Sequence, residues 1–132
     1  MKKEYRHQNI FDRYNIWRKK VTKNEHYAID IDFVEIDGKK PVAIIETTMF
    51  KYIPAIINHL ETVLNRAKFQ LDIQQYIADK LEIPLYLVIY DESLSYFLVY
   101  NYKKKTYDEM DQNKYIQFLN DLRIDSIVYS WM

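Results

Sequence analysis

Residues Tyr27 to Thr48 read Y-A-I-D-I-D-F-V-E-I-D-G-K-K-P-V-A-I-I-E-T-T. Ile29, Ile31 and Phe33 alternate with Asp30, Asp32 and Val34, the two-residue period of a strand. Asp37-Gly38, which includes the single glycine of the chain, marks a hairpin turn. Pro41 to Glu46 is an apolar return strand that reads as central in a covered sheet. The carboxylates are the anomaly. An ionised carboxylate withdrawn from water costs several kcal/mol unless it is compensated, so Asp30, Asp32 and Glu46 need a partner, and a divalent cation is one candidate. Strand parity makes this a geometric condition. With a two-residue loop at Asp37-Gly38, Asp32 faces Ala43 and Glu46 points to the other side of the sheet. An odd loop or one β-bulge instead sets Asp30 opposite Glu46, with Asp32 as its diagonal neighbour on the same face.

Outward from this hairpin the apolar period changes. Ile10, Tyr14, Trp17 and Val21 recur at helical spacing, which predicts a first helix over about Glu4 to Lys20 with a basic outer face. A long helical region is expected from Pro54 to Leu81, interrupted near Asn65, with Phe69, Ile73, Ile77 and Leu81 as its core stripe. Gln70 and Gln74 fall between that stripe and a polar face of Lys68, Asp72, Gln75 and Asp79. Ile83-Pro84 closes the helix, Leu85 to Tyr90 is a strand buried on both faces, and Tyr96 to Tyr100 is another. Lys103 to Lys105 reads as a basic loop before a last helix whose apolar stripe is Tyr115, Phe118, Leu119 and Leu122. Ile127 to Trp131 reads as a short edge strand or an oligomer contact. The order helix, strand, strand, helix, strand, strand, helix implies an α/β fold: a central mixed sheet of four to five strands flanked by helices, in a single domain over residues 1–132.

Composition narrows the function classes. One glycine cannot build a phosphate-cradling loop or a dinucleotide fingerprint, so no nucleotide cofactor held in either way is expected. Zero cysteines remove disulfides, thiolate metal sites and cysteine nucleophiles, and fit a cytoplasmic protein. No run of about 18 apolar residues points to a membrane span, and the first residues lack the apolar stretch of a secretory signal. Formal net charge is zero, yet residues 1–26 hold eight basic residues against three acidic ones. A locally basic end beside an acidic site suits a protein that handles phosphodiesters, because phosphate contacts come from Lys and Arg. Tyr5, Tyr52 and Tyr102 are candidates for base stacking. His7, His26 and His59 have no metal-ligand spacing, and Glu35 should face away from Asp32 as a structural or ion-paired group.

The stretch Asp32-Phe33-Val34-Glu35, Asp37-Gly38 and Val42 to Thr48 resembles the PD-(D/E)XK nuclease superfamily, the restriction-endonuclease-like and RecB-like group. Asn9 to Tyr14, Phe69 to Asp72 and Ile83 to Tyr86 are similar to its small archaeal and viral members. The resemblance implies a restriction-endonuclease-like fold and a Mg²⁺- or Mn²⁺-dependent endonuclease acting on DNA, with homodimers expected because small members often pair, in the cytoplasm or, for a viral protein, the host cytoplasm. It makes Asp32 and Glu46 the metal ligands, Asp30 an auxiliary carboxylate, and Gln70 the helical glutamine of RecB-like members. Thr48 occupies the position of the motif lysine, so Lys51 is the nearest stand-in. Without that lysine the alternative is a nuclease fold that binds nucleic acid or protein and does not cut.

Overall fold

The computed structural model describes residues 8–22, 27–51 and 56–130. Its elements are α1 (Gln8–Val21), β1 (Phe33–Asp37), β2 (Lys40–Phe50), α2 (Ile56–Arg66), α3 (Lys68–Leu81), β3 (Leu85–Asp91), β4 (Phe97–Asn101), β5 (Thr106–Met110) and α4 (Gln112–Ser130). They form an α/β fold around one five-stranded sheet in the order β1-β2-β3-β4-β5. β2 and β3 run parallel and every other neighbouring pair is antiparallel. The parallel joint follows from the sequence, since only a crossover as long as α2 plus α3 can return the chain to start β3 alongside β2. Among the described residues no helix is long and apolar enough to cross a membrane.

Side-chain alternation splits the core in two. Ile44, Leu85, Leu87, Ile89 and Leu98 face α2 and α3 and pack with Val63, Leu71 and Ala78. Ile45, Val88, Phe97, Val99 and Met110 face the opposite way and meet Tyr115, Phe118, Leu119 and Leu122 of α4, the stripe expected from the sequence. Phe97 and Tyr115 stack with ring centroids 4.2 Å apart. Asp111 caps α4, its carboxylate accepting a hydrogen bond from the Lys114 amide at 2.8 Å.

The expected interruption near Asn65 is present, at Ala67. Other sequence expectations change. The core stripe of α3 is Leu71, Gln74 and Ala78, whereas Phe69 is 59% and Leu81 45% exposed. A series stepping by four residues advances about 40° round the helix per step, so Phe69 to Leu81 spirals over too wide an arc for one buried face. Thr106 to Met110 is a strand, β5, reached through a turn at Tyr102–Lys105 that Asn101 closes by accepting from the Lys104 amide at 3.0 Å. Only Met110 of β5 is buried, so this charged edge strand lacks an apolar alternation. Finally, α4 continues through Ile127 to Ser130, which are helical; Trp131 lies outside the described residues, as do Glu4 to His7 of the expected first helix.

α3 ends in a Schellman-type turn. The Ile83 amide donates to Ala78 O at 3.0 Å and the Glu82 amide to Asp79 O at 3.1 Å, with Glu82 left-handed at φ 57°. Pro84 follows and the chain enters β3. At the same end of the sheet, where the parallel strands β2 and β3 both start, Asp37 pairs with Lys40 across Gly38-Lys39, and Gly38 has φ +63°. Ile36 then pairs with Pro41 but Glu35 with Ala43, so Val42 is an inserted residue and the hairpin contains a β-bulge. β1 is shorter than expected, because the chain from Tyr27 to Ile31 runs alongside without joining the ladder.

Candidate metal and phosphodiester site

The bulge shifts the parity of the hairpin. Phe33 pairs with Ile45, and continuing that register by one residue sets Asp32 against Glu46. The offset places Asp32 where the sequence reading placed Asp30, and the carboxylates of Asp32 and Glu46 meet. Asp32 accepts hydrogen bonds from the Thr47 amide at 3.0 Å and the Thr47 hydroxyl at 2.9 Å. These bonds fix it just beyond the end of β1, in the place of a backbone partner for Thr47.

Glu46 stands on the α3 face of β2, between Ile44 and Thr48 by alternation. Gln70 Nε2 donates to Glu46 Oε2 at 3.0 Å, and Gln74 Nε2 donates to the same oxygen. The two glutamines also hold the carbonyl of Asp30, at 3.3 Å from Gln70 and 2.8 Å from Gln74. Residues four apart share a helix face, so α3 presents both amides together. Each amide ties the irregular Tyr27–Ile31 segment to the carboxylate. Gln74 is fully buried, and its Oε1 has no hydrogen-bond partner. A buried amide left half-satisfied costs free energy, so its Nε2 contacts must outweigh that loss.

Burial chiefly, then the hydrogen bond and negative charge of Asp32, push the Glu46 carboxyl up to about 7, against the opposing pull of Gln74 and Gln70. Among the described residues no lysine or arginine forms an ion pair with Glu46. The Glu46 carboxyl therefore keeps its proton further toward neutral pH than a free glutamate does, and a cation would compete with that proton for the same oxygens. The described residues contain no cluster of three or more His, Asp or Glu suited to a metal. Two converging carboxylates nevertheless fit Mg²⁺, which typically takes one or two from a protein and keeps several waters.

The remaining expected residues are placed as follows. Asp30 contributes its carbonyl to the glutamines, while its side chain lines a separate cleft with Arg18 and Lys19. It does not make a third member of a carboxylate cluster. Lys51 is exposed beyond the end of β2, five residues from Glu46. At about 3.3 Å rise per residue that is roughly 16 Å along the strand, with side chains on opposite faces. The structure therefore does not bring Lys51 to the pair. Thr48 lies beside Glu46 on the same face, in register with Ile89. Lys68 is engaged on the surface by Asp72 at 2.8 Å. Glu35 faces α4 and pairs with Arg123 at 2.9 Å. The Tyr102 hydroxyl bonds Asp72, and Tyr5 and Tyr52 lie outside the described residues.

Gln74 is the residue the sequence reading missed. Its signal was the Gln70–Gln74 spacing at the boundary of an apolar stripe, facing a strand that carries an unexplained acid. Asp32 also borders a second cavity of about 370 Å³ on the α4 side, lined by Phe33, Thr47, Tyr90 and Tyr115, so one edge of the pair is reachable from solvent. No protein-family model matches this chain, and no curated protein or solved structure matches it either.

Proposed function

We propose that Asp32 and Glu46 hold a divalent cation, Mg²⁺ or Mn²⁺, and that the protein is a metal-dependent nuclease of the PD-(D/E)XK type acting on DNA. The observation that supports this reading is the meeting of the two carboxylates: a bulged hairpin and two glutamines of α3 bring together acids that repel one another in the absence of a cation. A cation bound there would lower the pKa of a water and offset charge on a phosphate. The chain's own contribution is positional. Thr47 orients Asp32, and Gln70 and Gln74 orient Glu46; Thr47 and Glu46 sit on β2 and the two glutamines on α3, the regular elements that a preorganised site requires.

A second reading has its own support. Thr48 carries no charge and Lys51 is out of reach, so none of the expected residues supplies the ammonium that would stabilise the transition state. On that reading the protein binds nucleic acid on a nuclease fold without cutting it.

One experiment separates the two. Plasmid, linear duplex and single-stranded DNA are incubated with the wild-type protein in Mg²⁺, in Mn²⁺ and in EDTA, beside Glu46→Gln. Metal-dependent cutting abolished by Glu46→Gln supports the enzyme. Salt-dependent binding with no cutting under any condition rejects it and leaves the binding module.

A further inference from the structure

A cavity of about 510 Å³ opens between α1 and the Tyr27–Ile31 segment. Tyr14, Arg18 and Lys19 of α1 form one wall, Ile29 and Asp30 the other, and Gln70 lies at the inner end. Gln70 also donates to Glu46, so one side chain separates this cavity from that carboxylate.

The chemistry of α1 is specific. From Arg13 to Thr22 the chain has four basic residues and no acidic one. Tyr14, Trp17 and Arg18 are spaced three and four apart and so share one helix face. Tyr14 and Trp17 are both more than half exposed, with ring centroids 5.7 Å apart. Two large aromatic rings left in water beside cations are costly as a merely solvated face, and they are what a strand of unpaired bases uses. Duplex DNA hides its base faces inside the stack, and a cleft of this size does not admit a double helix; a single strand offers both a stackable base and a phosphate to each residue step. The one acid in the cleft, Asp30, is outnumbered by Arg18 and Lys19.

We propose that this cleft binds single-stranded nucleic acid, with Arg18 and Lys19 on its phosphates, Tyr14 stacking a base within it and Trp17, which lies outside the lining but in ring contact with Tyr14, extending that stack, and that it feeds the strand to Asp32 and Glu46. The inference rests on the nuclease-fold reading for its direction. Binding itself is independent of metal and of cleavage, which makes the two separable.

The test measures binding of a fluorescein-labelled oligo(dT) of about 12 nucleotides in EDTA, against a duplex of the same length. The wild type should bind the single strand more tightly. Arg18→Ala/Lys19→Ala should weaken binding at least tenfold and reduce the slope of log affinity against log salt by about 1.4, the value for two phosphate contacts on a single strand. Trp17→Ala should cost about fivefold or more, while Trp17→Phe, which keeps a stacking ring on an intact helix, should retain binding. Equal affinity for strand and duplex overturns the proposal, as does an unchanged salt slope in the double variant or an equal loss in Trp17→Ala and Trp17→Phe. A protein that binds oligo(dT) through these residues yet never cuts DNA refutes the nuclease and leaves the cleft standing. One that cuts while the double variant binds and cuts single strands normally refutes the cleft alone.

Discussion

Replacing Asp32 by asparagine keeps an acceptor for the Thr47 amide and hydroxyl and removes the negative charge beside Glu46. In the metal-free wild type the Glu46 carboxyl is raised from 4.5 to about 7. The native state then binds the proton more tightly than the unfolded chain, so its contribution to stability is fully present below about 4.5 and is lost as pH rises through about 7. Full linkage over that interval corresponds to roughly 3 kcal/mol. Glu46 is only half withdrawn from water, and solvent screening reduces this to roughly 1 to 2 kcal/mol. In Asp32→Asn the hydrogen bond and repulsion from a second carboxylate disappear while burial, the largest cause, persists. The Glu46 pKa should therefore fall to a value between 4.5 and about 7, and the loss of stability with rising pH should shrink. Side-chain carbon NMR titration in EDTA, with thermal melts from pH 4 to 8, reads both quantities. Wild-type Glu46 titrating near 4.5, or staying at about 7 in the variant, would refute the coupling on which the site is built.

Thr48→Lys puts an ammonium two residues from Glu46 on the same strand face, and should confer or increase Mg²⁺-dependent DNA cleavage in a gel assay; unchanged activity with intact folding argues that position 48 is not the defect. Glu82→Gly should raise stability by about 1 kcal/mol in a denaturant melt, because it relieves a left-handed non-glycine residue at the α3 turn; a destabilised variant would contradict that account. Asp91, whose carboxylate accepts from the Ser95 and Ser93 hydroxyls and the Ser95 and Tyr96 amides, is held down at about 2. Its contribution is present above the usual aspartate value and lost as pH falls through about 2, so Asp91→Ala should lower the thermal midpoint at pH 7 and flatten its fall in acid; an unchanged acid profile would count against it.

The parts of the fold legible in the sequence were those with strong periodicity and distinct punctuation. β2 and β3 are continuous apolar runs, and the α4 stripe of Tyr115, Phe118, Leu119 and Leu122 packs as its spacing implies. Parity alone indicated that the acids could meet only through an odd loop or a bulge, and the bulge at Val42 supplies the offset. Which aspartate would sit opposite Glu46 was not legible, because the register depends on where the insertion falls and on a turn at Gly38-Lys39 rather than Asp37-Gly38. β5 was invisible because an edge strand with one buried side chain needs no apolar pattern. The α3 face was misassigned because a polar residue, Gln74, occupies a core position: its burial is set by hydrogen bonds to Glu46 and the Asp30 carbonyl, which only tertiary contact reveals.

The central claim is that Asp32 and Glu46 form one cation site, and direct Mn²⁺ binding tests it without reference to any substrate. Calorimetric or electron-spin titration of the metal-free protein at pH 7.5 should find one Mn²⁺ per chain, with binding lost in Glu46→Gln and weakened as pH falls through about 7, where the proton competes for Glu46. No Mn²⁺ binding by the folded wild-type protein, or binding that survives Glu46→Gln unchanged, would contradict it.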